Sequence, residues 1–429
     1  MKKSIYVLIA ICLTACLPSN VQIPQSPLLG VLERKAGLIS YTGLDGNIYV
    51  TDQGATDTIQ LTKDGGETSN SVVVYQNPTW SPDGIRLGFI RLEQNENRVI
   101  SKLMVANVDS GVVNDVYASE SEHPFYLYWS PDEQNLSFLS STATGQTMLL
   151  QSVPSQGGER RVLDTGSPFY WSWAPDGKTM IVHRGAGDPT LASRLSFLKL
   201  DAEIDEYGME EIPASFQAPA WSPDGRFILL TQLNFDDEVS EIVLADSTGT
   251  PIKTIDTFDL NTAFAWSPDS EQFAYISGEQ PMSAGTLGDL HVRDVDSEDE
   301  ITIDADVVGF FWSPNGKKLA YFVPFVMAPE EGSGDSGENT LLFQLNMLDP
   351  ASGESRELFT FQPTEQFVSM VPYFDQYHQS TTIWSPDSNN LVLSFISQEG
   401  TPGIAVVAAS GQLEPRYLAE GFFATWSWQ

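Results

Sequence analysis

A five-residue pattern, Trp-Ser-Pro-Asp-Gly in its fullest form, returns along this 429-residue chain and restricts its fold more than any other feature. It stands as Trp80-Ser81-Pro82-Asp83-Gly84, Trp129-Ser130-Pro131-Asp132-Glu133, Trp173-Ala174-Pro175-Asp176-Gly177, Trp221-Ser222-Pro223-Asp224-Gly225 and Trp266-Ser267-Pro268-Asp269-Ser270. Trp312-Ser313-Pro314-Asn315-Gly316 and Trp384-Ser385-Pro386-Asp387-Ser388 follow, and Trp426-Ser427 ends the series. Successive Trp residues are 49, 44, 48, 45, 46, 72 and 42 positions apart. Each Trp closes a short apolar stretch, Pro and Asp initiate a turn, and Gly or another turn-compatible residue leads into a second apolar stretch. Those second stretches, such as Arg86 to Ile90, Phe227 to Thr231 and Lys318 to Phe322, are short and rich in aromatic or branched residues, as strands are.

A period near 46 residues is too long for one hairpin and fits a four-stranded unit. The expected fold is therefore all-β, an eight-bladed β-propeller of four-stranded antiparallel blades. The chain ends indicate how it closes. Leu38 to Tyr41, Asn47 to Val50 and Thr58 to Leu61 match the second, third and fourth strands of a repeat without its first, and Phe422 to Ser427 supplies a first strand. Pairing the N-terminal strands with the C-terminal one removes two exposed edges. The motif resembles that of the TolB-like, WSPDG-repeat β-propellers, a WD40-like group, over about residues 37 to 429. That resemblance implies an architecture and no particular activity.

Lys2 and Lys3 precede the apolar run Ile5 to Leu13, which ends in Leu13-Thr14-Ala15-Cys16. A basic start, a short apolar core and small residues before a Cys resemble the signal of bacterial lipoproteins. The resemblance implies cleavage before Cys16 and lipidation of its thiol. The expected division is a signal peptide over 1–15, a lipid anchor and flexible linker over 16–36, and the propeller over 37–429. The expected location is the bacterial cell envelope, after export, on a membrane through the anchor. Each buried acyl CH₂ contributes about 0.8 kcal/mol to such anchoring.

The 57 Asp and Glu against 22 Lys and Arg leave a net charge of −35, which argues against nucleic acid as a partner. Both Cys residues, Cys12 and Cys16, lie in the first 16 positions, so the body has no thiol nucleophile and no thiolate zinc site. It also contains no Gly-x-Ser-x-Gly elbow, His-Glu-x-x-His pair or phosphate loop. The expectation is no enzyme and no cofactor, with a recognition or scaffold role toward an envelope protein or cell-surface component. The alternatives are a metal-assisted carbohydrate-active enzyme such as a polysaccharide lyase, drawing on His123, His183, His291 and His378, and a solute-binding or sensory propeller.

Candidate ligand-binding residues come from the position six before each motif Trp. There Asp306, His378 and Glu420 fall in consecutive repeats and His123 in an earlier one, types suited to a cation or polar ligand at one mouth of the channel. Phe125, Tyr126, Phe169 and Tyr170 occupy neighbouring positions, and Tyr373, Phe374, Tyr377 and His378 form a further aromatic concentration. Within the 72-residue interval, Pro324 to Asn339 reads as a mobile acidic excursion and Phe361 to Ser380 as a second excess, available for partner contact or for covering the channel.

Overall fold

The repeated turn is held by one set of local bonds. In the first motif the Ser81 amide donates to the Arg86 carbonyl, and the Arg86 amide donates back to Ser81 Oγ at 3.0 Å. Asp83 Oδ1 accepts from Ser81 Oγ and from the Ile85 amide, while the Gly84 amide closes onto the Ser81 carbonyl with φ at +69°. The chain that ends at Trp80 is thereby turned back into the next strand. Where the hydroxyl is missing, at Ala174, Thr179 Oγ1 donates to Asp176 Oδ2 at 2.9 Å instead. The fifth motif position is left-handed even without Gly: Glu133 at +63°, Ser270 at +63° and Ser388 at +61°. That conformation costs a non-Gly residue about 1 kcal/mol. All three bond back to the preceding motif: Glu133 to Arg86 Nη2 at 3.2 Å, Ser270 Oγ to the Asp224 amide and Ser388 Oγ to the Asn315 amide, both at 3.1 Å.

The structure is a computed structural model describing residues 35–429 apart from 97, 143–144, 146, 186–192, 210–212, 215–216, 235, 279–284 and 329–338. The described strands form seven antiparallel sheets. Four are four-stranded in chain order, beginning with Glu122–Trp129, Phe169–Trp173, Ala220–Trp221 and Thr262–Trp266. A five-stranded sheet, Gly66–Glu67 to Val112–Ser119, precedes them. One further four-stranded sheet joins the ends: Ile39–Thr42 pairs Phe423–Trp426 in the register Ile39 to Trp426 and Thr42 to Phe423, and Ile48–Thr51 and Thr58–Gln60 continue it. The expected closure is therefore present in an all-β, propeller-like fold.

The remaining sheet has seven strands and holds two repeats, from Gly309–Trp312 to Arg416–Glu420. Its two halves join because Glu354–Pro363 runs on to pair Gln362 with Ile396 and Pro363 with Phe395. The first strand of the last repeat is reduced to two bridges, Thr382 to Trp426 and Trp384 to Leu391. Hydrogen bonding thus delivers seven sheets where the motif count leads one to expect eight. Pro324 to Met327 also departs from expectation. These residues are not loop but the end of strand Leu319–Met327, paired from Pro324 with Phe343 to Met327 with Thr340, while 329–338 lie outside the described residues.

The motif Trp residues tie successive repeats together. The indole Nε1 of Trp129 donates to Thr79 O at 2.9 Å, Trp266 to Ala220 O at 2.9 Å, Trp312 to Ala265 O at 3.3 Å, Trp384 to Phe311 O at 2.9 Å and Trp80 to Thr425 O at 3.4 Å. In every case the acceptor is the residue just before the preceding repeat's Trp. Trp173 reaches the equivalent Tyr128 carbonyl through Ser137 Oγ, at 3.2 and then 2.6 Å. Trp221 Nε1 is buried with no partner among the described residues. Leaving a buried acceptor unpaired costs about 1–3 kcal/mol. Trp384→Phe is therefore expected to lower stability by roughly 1–2 kcal/mol more than Trp221→Phe, read from paired urea-unfolding curves.

Candidate functional site

The extra length between Trp312 and Trp384 builds a plug. Thr364 caps helix α1 (Glu365–Met370), its Oγ accepting the Phe367 amide at 3.3 Å and donating to Phe422 O at 2.6 Å. A 3₁₀ turn over Val371–Tyr373 leads into the short helix α2 (Phe374–Tyr377). Phe367, Met370, Val371 and Phe374 are buried, so the segment is drawn inward by its apolar side chains. The Phe374 ring lies 4.7 Å from that of Phe310.

Its polar side chains bond to the first strands of several repeats. Gln376 Oε1 accepts the Trp171 amide at 2.9 Å and Gln376 Nε2 donates to Trp171 O at 2.9 Å, so one side-chain amide pairs both backbone groups of Trp171. Gln376 Nε2 also donates to Tyr126 Oη, which donates in turn to Gln376 O at 2.8 Å. Asp375 Oδ2 accepts the Ala218 amide at 2.8 Å, Gln379 Nε2 donates to Pro219 O, and the Trp426 amide donates to Thr382 O. Inner-strand groups that a hollow centre would leave to water are thus satisfied by the plug.

Cavities lie on either side of it. One, of about 380 Å³, is bounded by Trp173, Trp221, Trp266 and Trp312 of the motifs and by His378 and Gln379. The other, of about 620 Å³, is bounded by Phe125, Tyr126, Phe169, Tyr170, Tyr373 and Tyr377, with Asp375 in its lining. The second is the candidate site, because it combines volume, aromatic area and a carboxylate. Burial pushes Asp375 up to about 6, against the opposing pull of the Ala218 and Gln376 amides. Burial likewise raises Tyr126 and Tyr170 well above the ordinary phenol value and Tyr377 to about 12, so these hydroxyls stay neutral. Burial lowers His378 to about 4, offset in part by a bond to the Phe264 backbone, and its Nε2 has no partner among the described residues.

The residues singled out from the sequence are dispersed. His378 caps α2 within the plug, on the side of the smaller cavity. Asp306 is exposed on the outer strand Glu300–Val307, and Glu420 is exposed at the end of the outer strand Arg416–Glu420. His123 lies on the inner strand Glu122–Trp129, its Nδ1 2.8 Å from Ser101 Oγ. His183 is buried with Nδ1 2.8 Å from Gln217 O, and His291 bonds Glu300 Oε1 at 2.6 Å. Among the described residues no three His, Cys, Asp or Glu gather as an ion-binding group, which leaves the metal-assisted lyase alternative without a site there. Cys16 lies outside the described residues. Of the aromatic residues singled out from the sequence, Phe125, Tyr126, Phe169, Tyr170, Tyr373 and Tyr377 line the larger cavity, whereas Phe374 packs on Phe310. Asp375 and Gln376 were passed over, although a polar pair inside the apolar run from Phe367 to Tyr377 was their visible signal.

No family model matches the chain. Over 123 residues it is 26% identical to the uncharacterized peptidase YuxL of Bacillus subtilis (strain 168), a match covering 28% of this chain and 18% of that protein. The chain thus matches under a fifth of the length of this curated relative. The similarity overturns the expectation that the chain is no enzyme, since that expectation rested on missing motifs and the relative is named as a peptidase. Among solved structures, the C-terminal WD40 domain of Sif2 is 12% identical with a TM-score of 0.53, covering 90% of this chain and 99% of that one. An oligogalacturonate lyase in complex with manganese is 13% identical with a TM-score of 0.50, covering 87% and 97%. Identities this low speak for the fold alone.

Asp375 and the buried His378 give the plug opposite pH responses. A carboxyl held above its ordinary value favours the folded state below about pH 4 and loses that advantage as pH rises to about 6. An imidazole held below its ordinary value instead loses stability as pH falls from about 6.5 to about 4. Relative to the native protein, Asp375→Asn should therefore gain roughly 3 kcal/mol in unfolding free energy between pH 4 and pH 7, measured by paired denaturant curves.

Proposed function

We propose that this chain is an exported, lipid-anchored envelope protein whose propeller recognises a protein or another cell-surface component through the aromatic cavity above the plug. The observation that carries this reading is the convergence of six repeat-borne and plug-borne aromatic rings, Phe125, Tyr126, Phe169, Tyr170, Tyr373 and Tyr377, on one space of about 620 Å³. Aromatic area in a partly enclosed cavity favours recognition. The division into a signal over 1–15, an anchor and linker over 16–36 and a propeller over 37–429 belongs to the same reading, as does lipidation of Cys16. So does an eight-bladed ring, supported by the separate inter-repeat bonds of Trp312 and Trp384 within the shared sheet. Asp306, His378, Glu420 and His123 stay in this reading as candidate ligand contacts outside the aromatic cavity, His378 in the smaller cavity on the other side of the plug.

Crosslinking and affinity purification from the native membrane tests this reading. A near-stoichiometric partner that is lost in a Tyr170→Ala, Tyr373→Ala variant with an unchanged unfolding curve is the expected result. Equal capture by the variant removes the cavity from the account. Cys16→Ser is expected to release the folded protein from membranes, scored by fractionation, and continued tight membrane association contradicts the anchor. A second reading, favoured by the 123-residue similarity to a protein named as a peptidase, is proteolysis in which the propeller takes part. Its test is cleavage of a fluorogenic peptide library by the purified chain.

A further inference from the structure

The larger cavity holds one feature that plain aromatic recognition does not need. Asp375 lines it without a cationic partner: its Oδ1 accepts the Gln376 amide at 3.0 Å and its Oδ2 the Ala218 amide at 2.8 Å, and no Lys, Arg or His bounds the cavity among the described residues. The titratable groups around the carboxylate are phenols, Tyr126 and Tyr170 from the neighbouring inner strands and Tyr373 and Tyr377 from the plug. Aromatic rings attract a cation through their negative faces, and an uncompensated carboxylate adds a full charge where water is scarce. The chain's net charge of −35 adds long-range attraction of the same sign.

We infer that the cavity bounded by Phe169, Tyr170, Tyr373 and Tyr377 binds an organic monocation, an alkylammonium group presented by a small molecule or by a side chain of the partner, with Asp375 as its counter-charge. A volume of about 620 Å³ accommodates such a group together with part of the molecule that carries it. A metal ion is not the better occupant, because among the described residues no second carboxylate or imidazole joins Asp375 in the lining. Binding draws on the ionised form of Asp375, a group pushed up by burial to about 6, so the site is stronger at neutral pH than under acid conditions.

This inference rests on the recognition reading and is tested apart from it, with benzyltrimethylammonium and its uncharged counterpart benzyl alcohol as probes in calorimetric titrations of the full chain. The cation is expected to bind at least tenfold more tightly than the alcohol at pH 7.5. Its affinity is expected to fall about tenfold at pH 5, where roughly a tenth of Asp375 is ionised. Asp375→Asn should remove the preference for the cation and its pH dependence while leaving the alcohol unchanged. Should that variant fail to fold, Tyr373→Ala, at a residue 40% exposed, is expected to weaken the cation several-fold with its unfolding curve unchanged. Equal affinity for the two probes, no cation binding at about 10 mM, or a pH-independent affinity overturns the inference. Partner capture that is lost in Tyr170→Ala, Tyr373→Ala while the cation fails to bind leaves recognition standing and removes only the cation.

Discussion

The bond from a motif indole to the carbonyl before the preceding repeat's Trp, made directly by Trp80, Trp129, Trp266, Trp312 and Trp384, is the interaction on which the rest of the structure depends. A four-stranded antiparallel sheet twists and presents two faces, and nothing in its own ladder says how the next sheet should sit against it. The indole settles this by reaching across with a large apolar body and a single donor, which must find an acceptor once buried. Trp129, Trp266, Trp312 and Trp384 meet that demand in one register, and Trp80 meets it on the closing sheet at Thr425. The inner strands are thereby brought round a common centre, and the motif turns are stitched by Glu133, Ser270 and Ser388 to their predecessors.

A ring built this way leaves backbone groups facing its own middle. The plug resolves that cost with side chains that imitate a strand: Gln376 pairs both groups of Trp171, and Asp375 takes the amide of Ala218. The same choice creates the site. A carboxylate placed where an amide needs an acceptor is also a buried charge with no cationic side chain beside it among the described residues, and the rings that pack the plug against the inner strands become the walls of the cavity above it. The fold and the proposed recognition site therefore share residues, and the walls are not separable from the fold in the way an outer loop would be.

The repeat, its turns and the pairing of the two chain ends were legible because their causes are local. Pro, Asp and Gly set the turn within five residues, and a missing first strand at one end is matched by a surplus one at the other. The plug was legible as an excess of length from Phe361 to Ser380 and of aromatic residues from Tyr373 to His378, but its bonds were not. Its bonds join positions 205 residues apart, such as Gln376 and Trp171, and no periodicity marks them. Pro324 to Met327 was misread because a Pro looks like loop, whereas beyond Phe322 this strand is paired on one side only, where a Pro is tolerated. The grouping of Asp306, His378 and Glu420 followed from counting back from Trp, a count that does not distinguish an outer-strand end from the interior.

Residues 365 to 381 fill the channel and complete the inner strands. Native-state amide exchange at Trp171 and Ala218 tests this most directly, because these two amides donate to plug side chains and not to a strand. Protection comparable to that of ladder amides in the same sheets, with Trp171 protection selectively lost in Gln376→Ala, is the result the account predicts. Exchange of both amides near free-peptide rates in the native protein would contradict it.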